Sequence, residues 1–105
     1  MPKKYRLSGE EIRKLSGKRM HGKLFSLLVA PIPDDHQKCA VVVSKKVSLK
    51  AVDRNKVKRR ARNVLAKLMP QMQRSVALVL YAKRETKDAE FAEISRDIEG
   101  LFSKV

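Results

Sequence analysis

Val57, Ala61, Val64, Leu65 and Leu68 recur at steps of four, three, one and three residues. That spacing makes one continuous apolar stripe on an α-helix and fits no strand. Cations fill the positions between. Residues 45–62 hold nine Lys and Arg against the single acid Asp53, a net charge of +8. A chain built around such a helix must bury the stripe against a core and leave a strongly positive face outward. The whole chain carries +14, from 25 basic and 11 acidic residues, so more than half of the excess sits in this one block. Residues 88–105 have the opposite sign, at −3. Charge concentrated this way reads as a docking surface for an anionic partner, whereas an even spread would read as solubility.

The rest of the 105 residues supplies a core for that helix. At 43% hydrophobic the chain is no disordered basic tail, and its length suits one domain over residues 1–105. A first helix is expected to open at Ser8, because Ser8-Gly9-Glu10-Glu11 has the form of a capping box, and to stop at Gly17. Apolar runs at residues 24–30, 39–43 and 76–82 read as strands, the last buried on both faces. A further short strand belongs beside residues 39–43, before or after them. Asp53 is the expected N-cap of the basic helix and Pro70 its limit. Asp88 is the expected cap of a last helix with Phe91, Ile94, Ile98, Leu101 and Phe102 inward. The order α-β-β-(β)-α-β-α gives an α+β fold, a small mixed sheet packed with three helices.

On a wheel with Val57 at zero, Arg54 falls at about 60°, Lys58 at 100°, Arg62 at 140°, Asn55 at 160° and Arg59 at 200°. One face therefore presents Arg54, Lys58 and Arg62 in a row, with Asn55 and Arg59 beside it. Like charges at that spacing destabilise an isolated helix, a cost that a polyanion offsets. Arg suits the task because its planar fork grips two phosphate oxygens. Lys45, Lys46 and Lys50 support the same face, while Lys56, Arg60 and Lys67 lie on a solvated flank. A membrane-surface helix is the weaker rival, since the apolar stripe lacks Trp and Phe.

Protein-borne catalysis finds little support. A magnesium nuclease needs clustered carboxylates. The candidates are Asp34 and Asp35 in a Pro-flanked turn, and Glu90, Glu93 and Asp97, which read as a solvated face of the last helix. His21 and His36 have no spaced partners and read as surface groups. Cys39, the only cysteine, lies in an apolar strand and reads as core; it allows neither an internal disulfide nor a Cys-pair zinc site. No apolar run reaches membrane-spanning length, which points to a cytoplasmic protein without a membrane partner.

Ser44-Lys45-Lys46 followed by Ala51-Val52-Asp53-Arg54-Asn55-Lys56-Val57-Lys58-Arg59-Arg60-Ala61-Arg62 resembles the signature of the bacterial ribonuclease P protein subunit, A-V-x-R-N-x-x-K-R-x-x-R after a Ser-Lys-Lys strand end. The match from Ala51 to Arg62 has no gap. Lys4-Tyr5-Arg6-Leu7 resembles the family's N-terminal entry, Gly17-Lys18-Arg19 its turn after the first helix, and residues 76–82 its last strand. Two features depart from the pattern. The turn from Val47 to Lys50 lacks the usual glycine and is one residue longer. Ile12 stands where the family often has phenylalanine, so aromatic stacking on single-stranded RNA is expected to be weaker here.

The resemblance implies a ribosomal-protein-like domain with a left-handed βαβ crossover, against the usual hand. It implies a protein subunit of a ribonucleoprotein endoribonuclease, whose partners are a catalytic RNA and precursor tRNA. In that enzyme the RNA, with Mg2+, hydrolyses the phosphodiester that joins the 5′ leader to the tRNA; no protein residue is catalytic and no protein partner is required. Carried onto this chain, Lys45, Lys46, Arg54, Asn55, Lys58, Arg59 and Arg62 would meet RNA. Asn55 would help to organise hydrated metal, a task that a plain phosphate clamp does not set. Ile12 and Phe25 would line the leader cleft. The alternative is a structural RNA-binding module of ribosomal type with no part in catalysis.

Overall fold

The computed structural model describes residues 5–33, 35–72 and 75–105. Lys4 and Asp34, used above in the N-terminal entry and the acidic turn, lie outside them. The elements run α1 (Gly9–Lys14), β1 (Lys18–His21), β2 (Phe25–Pro31), β3 (Lys38–Val42), α2 (Ala51–Leu68), β4 (Val76–Ala82) and α3 (Phe91–Phe102). Short 3-10 turns at Met69–Gln71 and Arg84–Asp88 follow α2 and β4. This is the expected α+β arrangement, but the further strand does not lie next to residues 39–43 in sequence: it is β1, which precedes β2.

The sheet order is β1-β2-β4-β3. β2 lies antiparallel to both β1 and β4, while β3 and β4 are parallel neighbours joined through α2. Alternation along the strands divides the sheet into two faces. Phe25, Leu27, Leu78, Leu80, Cys39 and Val41 join the cluster formed with Val57, Ala61, Val64 and Leu65 of α2 and Ile94, Ile98 and Leu101 of α3. The apolar stripe of α2 is thus buried as its spacing requires, with Leu68 half-buried at its end. Ser26, Leu28 and Ala30 of β2 and Ala77 and Val79 of β4 belong to the opposite face and are also buried. The two central strands are therefore covered on both sides.

The helix starts show where local signals sufficed. Ser8 caps α1 as expected: its Oγ accepts the Glu11 N–H at 3.1 Å, and the Ser8 N–H donates to Glu11 Oε1 at 3.0 Å. Asp53 is not the cap of α2, which begins at Ala51 with Lys50 as N-cap. The turn before it holds the backbone already. Ser48 Oγ accepts the Lys50 N–H at 3.2 Å and donates to the Asp53 carboxylate at 2.8 Å, so Asp53 braces the turn from inside the first helical turn. Asp88 is likewise displaced. It closes the Arg84–Asp88 turn, which buried Thr86 anchors through Oγ1 on the Lys83 carbonyl at 2.7 Å. Glu90 then caps α3 in a box with Glu93.

Gly17 does not end α1. The helix stops at Lys14 with an extended Leu15, and the chain has no positive-φ glycine among the described residues. Gly17 is needed for close approach instead, since a Cβ there would collide with the Val29 carbonyl oxygen and lie 2.7 Å from Ala30 Cα.

Asp97 also departs from expectation. It is no solvated carboxylate: Oδ1 accepts the Lys23 N–H at 2.9 Å, and Oδ2 accepts those of Leu24 and Phe25 at 3.0 and 2.9 Å. This ties α3 to the turn between β1 and β2 and satisfies three backbone donors that no strand partner reaches.

Candidate nucleic-acid interface

The outward face of α2 and the N-terminal segment together make a groove of about 420 Å3 lined by Arg6, Asn55, Lys58, Arg59, Arg62, Asn63 and Ala66. Four of the expected residues, Asn55, Lys58, Arg59 and Arg62, thus come together. Among the described residues no carboxylate lines the groove. Arg6 reaches it because residues beside it pair with β3: Arg6 bridges Cys39 in parallel register, and the Leu7 N–H donates to the Cys39 carbonyl at 3.0 Å. Nothing in the helical spacing of α2 points to Arg6, although the N-terminal entry motif contains it. Asn63 was legible in principle, since it follows Arg59 by one turn.

Arg54 does not join this groove lining. Its Nη1 donates to the carbonyls of Ser48 and Leu49 at 2.9 and 3.0 Å, so its guanidinium folds back over the preceding turn. These bonds hold the glycine-free Val47–Lys50 path together. Lys45 and Lys46 are exposed at the start of the same turn, where Ser44 Oγ accepts the Lys46 N–H at 3.3 Å. Arg60, placed by the wheel on a solvated flank, instead donates to the Ala89 carbonyl at 3.3 Å and links α2 to the approach of α3.

Phe25 offers no surface to a ligand. It is fully buried, on the helix-facing side of β2. The reason is parity, for a strand residue faces opposite to its neighbours. The polar side chains of the other face are Arg19, His21, Ser26, Lys38 and Tyr81, by register. There Arg19 lies over the Tyr81 ring at 4.4 Å, and His21 Nδ1 is 2.9 Å from Ser26 Oγ. Ile12, on α1, is half-buried. Lys38 Nζ meets Glu11 Oε2 at 3.0 Å, joining β3 to α1. The Ser8 backbone N–H, and then Lys38, hold the Glu11 carboxyl below its ordinary 4.5.

Cys39 is buried, and its thiol is pushed up to about 11 by that burial, against the opposing pull of Arg62 and Arg6. It is therefore core and no nucleophile at neutral pH. Among the described residues no group of three or more His, Cys, Asp and Glu could hold a metal ion, and no helix is long and apolar enough to cross a membrane.

Fold and groove together define a class, a small α+β domain whose long central helix carries a cationic, amide-bearing outward face. The full chain, residues 1–105, matches the family described as Ribonuclease P. The ribonuclease P protein component of Picosynechococcus sp. is 31% identical over 104 residues, 96% of this chain and 90% of that protein. That of Thermus thermophilus is 46% identical over 68 residues, 64% of this chain and 39% of the longer relative. In fold, the RNase P protein of Staphylococcus aureus matches with a TM-score of 0.84 at 23% identity, covering 94% of this chain and 93% of that one. The Thermotoga maritima protein gives 0.76 at 19% identity, over 90% and 86%. The chain belongs to the ribonuclease P protein family.

Proposed function

We propose that this chain is the protein subunit of the ribonucleoprotein that removes the 5′ leader from precursor tRNA. In this reading the RNA subunit performs the hydrolysis, and the protein binds that RNA and the leader. The composition of the α2 groove carries the proposal: Arg6, Lys58, Arg59 and Arg62 converge with two neutral amides and, among the described residues, no acid. Such a lining attracts phosphates and rewards them with released counterions. It repels a bare cation, so this donor set does not fit a resident protein-held magnesium ion. Mg2+ bound by RNA phosphates would polarise the scissile phosphodiester, and the Asn55 amide oxygen is suited to accept a hydrogen bond from its water shell.

Lys45 and Lys46 extend the same positive surface along the turn before α2. Leader contact is best assigned to the sheet face that carries Arg19 and Tyr81, to which the Lys38–Glu11 pair ties α1 and with it Ile12. A half-buried Tyr81 ring already under a guanidinium leaves limited room for base stacking, in keeping with the low aromatic content of 5%.

The test is reconstitution with a bacterial ribonuclease P RNA at low magnesium. Adding the protein should raise leader removal from precursor tRNA, and the gain should disappear on a substrate without a leader. Cleavage by the protein free of RNA would overturn the proposal. RNA binding with no effect on cleavage would assign the chain to the structural RNA-binding alternative.

A further inference from the structure

Two large apolar side chains stand in the open at the start of α2. Leu49 is 83% exposed and Val52 75%, far more than any other large hydrophobic among the described residues. Neither is needed by the core, because Val47 takes the buried position of that turn. Their presentation is built. Arg54 holds the Ser48 and Leu49 carbonyls, while Ser48 Oγ ties Asp53 to the Lys50 N–H. The backbone around Leu49 is thereby fixed with its side chain outward.

Val52 shares the groove's own helical stripe. It precedes Asn55, Arg59, Asn63 and Ala66 by 3, 7, 11 and 14 residues, and all four line the groove. At 1.5 Å per residue it lies about 16 Å along the axis from Asn63, on the same side of α2. A strand laid along the groove therefore runs onto Val52 as it passes the N-terminus of the helix, where Leu49 ends the preceding turn.

Resting on the RNA-binding reading above, we infer that Leu49 and Val52 form an apolar contact that takes ribose and base faces of that RNA between its phosphates. The surroundings favour this occupant. Lys45, Lys46, Lys50 and Lys56 are all exposed around the pair in sequence, and the nearby acid Asp53 is engaged by Ser48. Two aliphatic side chains fall well short of the area that a stable protein interface buries. A nucleic acid offers apolar surface in small pieces interrupted by charge, which is the pattern of this patch.

Contact of this kind releases no counterions, and that separates it from the phosphate contacts of α2. The experiment is a salt series of affinities for a bacterial ribonuclease P RNA transcript, comparing wild type with the double variant L49S/V52S. Affinity should fall about five- to tenfold at every salt concentration, with the slope of log K against log salt unchanged. The thermal melt should not move, since both side chains are exposed. Unchanged affinity would overturn the inference, as would a shallower slope, which would mean that the pair acts through the cations. A dimer that the double variant dissolves in sedimentation would assign the patch to a second copy instead. Wild-type protein whose RNA affinity ignores salt would defeat the underlying RNA-binding reading, and the inference with it.

Discussion

The carboxylate of Asp97 on α3 accepts the backbone N–H of Phe25 at 2.9 Å across 72 positions of sequence. With the N–H groups of Lys23 and Leu24 on the same side chain, one residue fixes the end of the β1–β2 turn to the last helix. Hydrogen bonds to an ionised acceptor each contribute about 1.5–3 kcal/mol, and part of the turn is exposed. Asp97→Ala should therefore cost about 2–4 kcal/mol and lower the melting temperature by roughly 10 °C or more. Asp97→Asn, which keeps one acceptor oxygen, should lose less. A melt of Asp97→Ala within 2 °C or so of wild type would show that solvent replaces the clamp.

Two arginines of the motif, Arg54 and Arg59, should behave as opposites. Arg59→Ala should leave stability within about 0.5 kcal/mol and reduce the RNA salt slope by close to one phosphate, about 0.7–0.9. Arg54→Ala should cost about 1–2 kcal/mol, because it frees the Ser48 and Leu49 carbonyls, and should change the slope less. Thermal melts and a salt titration on the same three proteins decide the matter. A larger slope change for Arg54→Ala than for Arg59→Ala would place the Arg54 guanidinium on phosphate.

Glycine positions divide by available space. Gly17→Ala puts a methyl into the Val29–Ala30 backbone and should destabilise by at least 1–3 kcal/mol, roughly the cost of overpacking a core. Gly100→Ala, inside α3 with open space around the new methyl, should stabilise by about 0.5–1 kcal/mol. Chemical denaturation of both variants checks the sign of each.

Cys39 should resist alkylation in the native protein at pH 8 and react only on unfolding. Its thiol ionises at about 11 when folded, against an ordinary 9.0. The unfolded chain therefore gives up this proton first as pH rises. The stability linked to Cys39 is complete below pH 9 and falls between pH 9 and 11. In Cys39→Ala that share of the alkaline slope should vanish; an identical slope in both proteins would remove Cys39 as its source.

Much of the scaffold was legible because local rules decide it. The stripe from Val57 to Leu68 has helical period, residues 76–82 are a strand end to end, and Ser8 with Glu11 spells a cap. β1 was hidden because Lys18-Arg19-Met20-His21 gives an edge strand one inward position, and only Met20 marks it. Phe25 was assigned to the wrong side because an unbroken apolar run erases the alternation that reveals parity. The wheel gave the direction of Arg54 but not the carbonyls of the turn that capture it. Asp97 and Arg6 depend on partners distant in sequence, residues 23–25 for the one and Cys39 for the other, which no spacing rule reports.

That long reach bears on when the protein becomes competent during synthesis. Arg6 joins the groove through its pairing with β3, and β3 gains its sheet partner only with β4. A ribosome-bound chain stopped before residue 76 would already contain every cation of the groove, yet would lack the strand that lets them converge. RNA able to use all of them at once would favour the finished chain over the unfinished one. Binding would then also draw late folding forward by mass action.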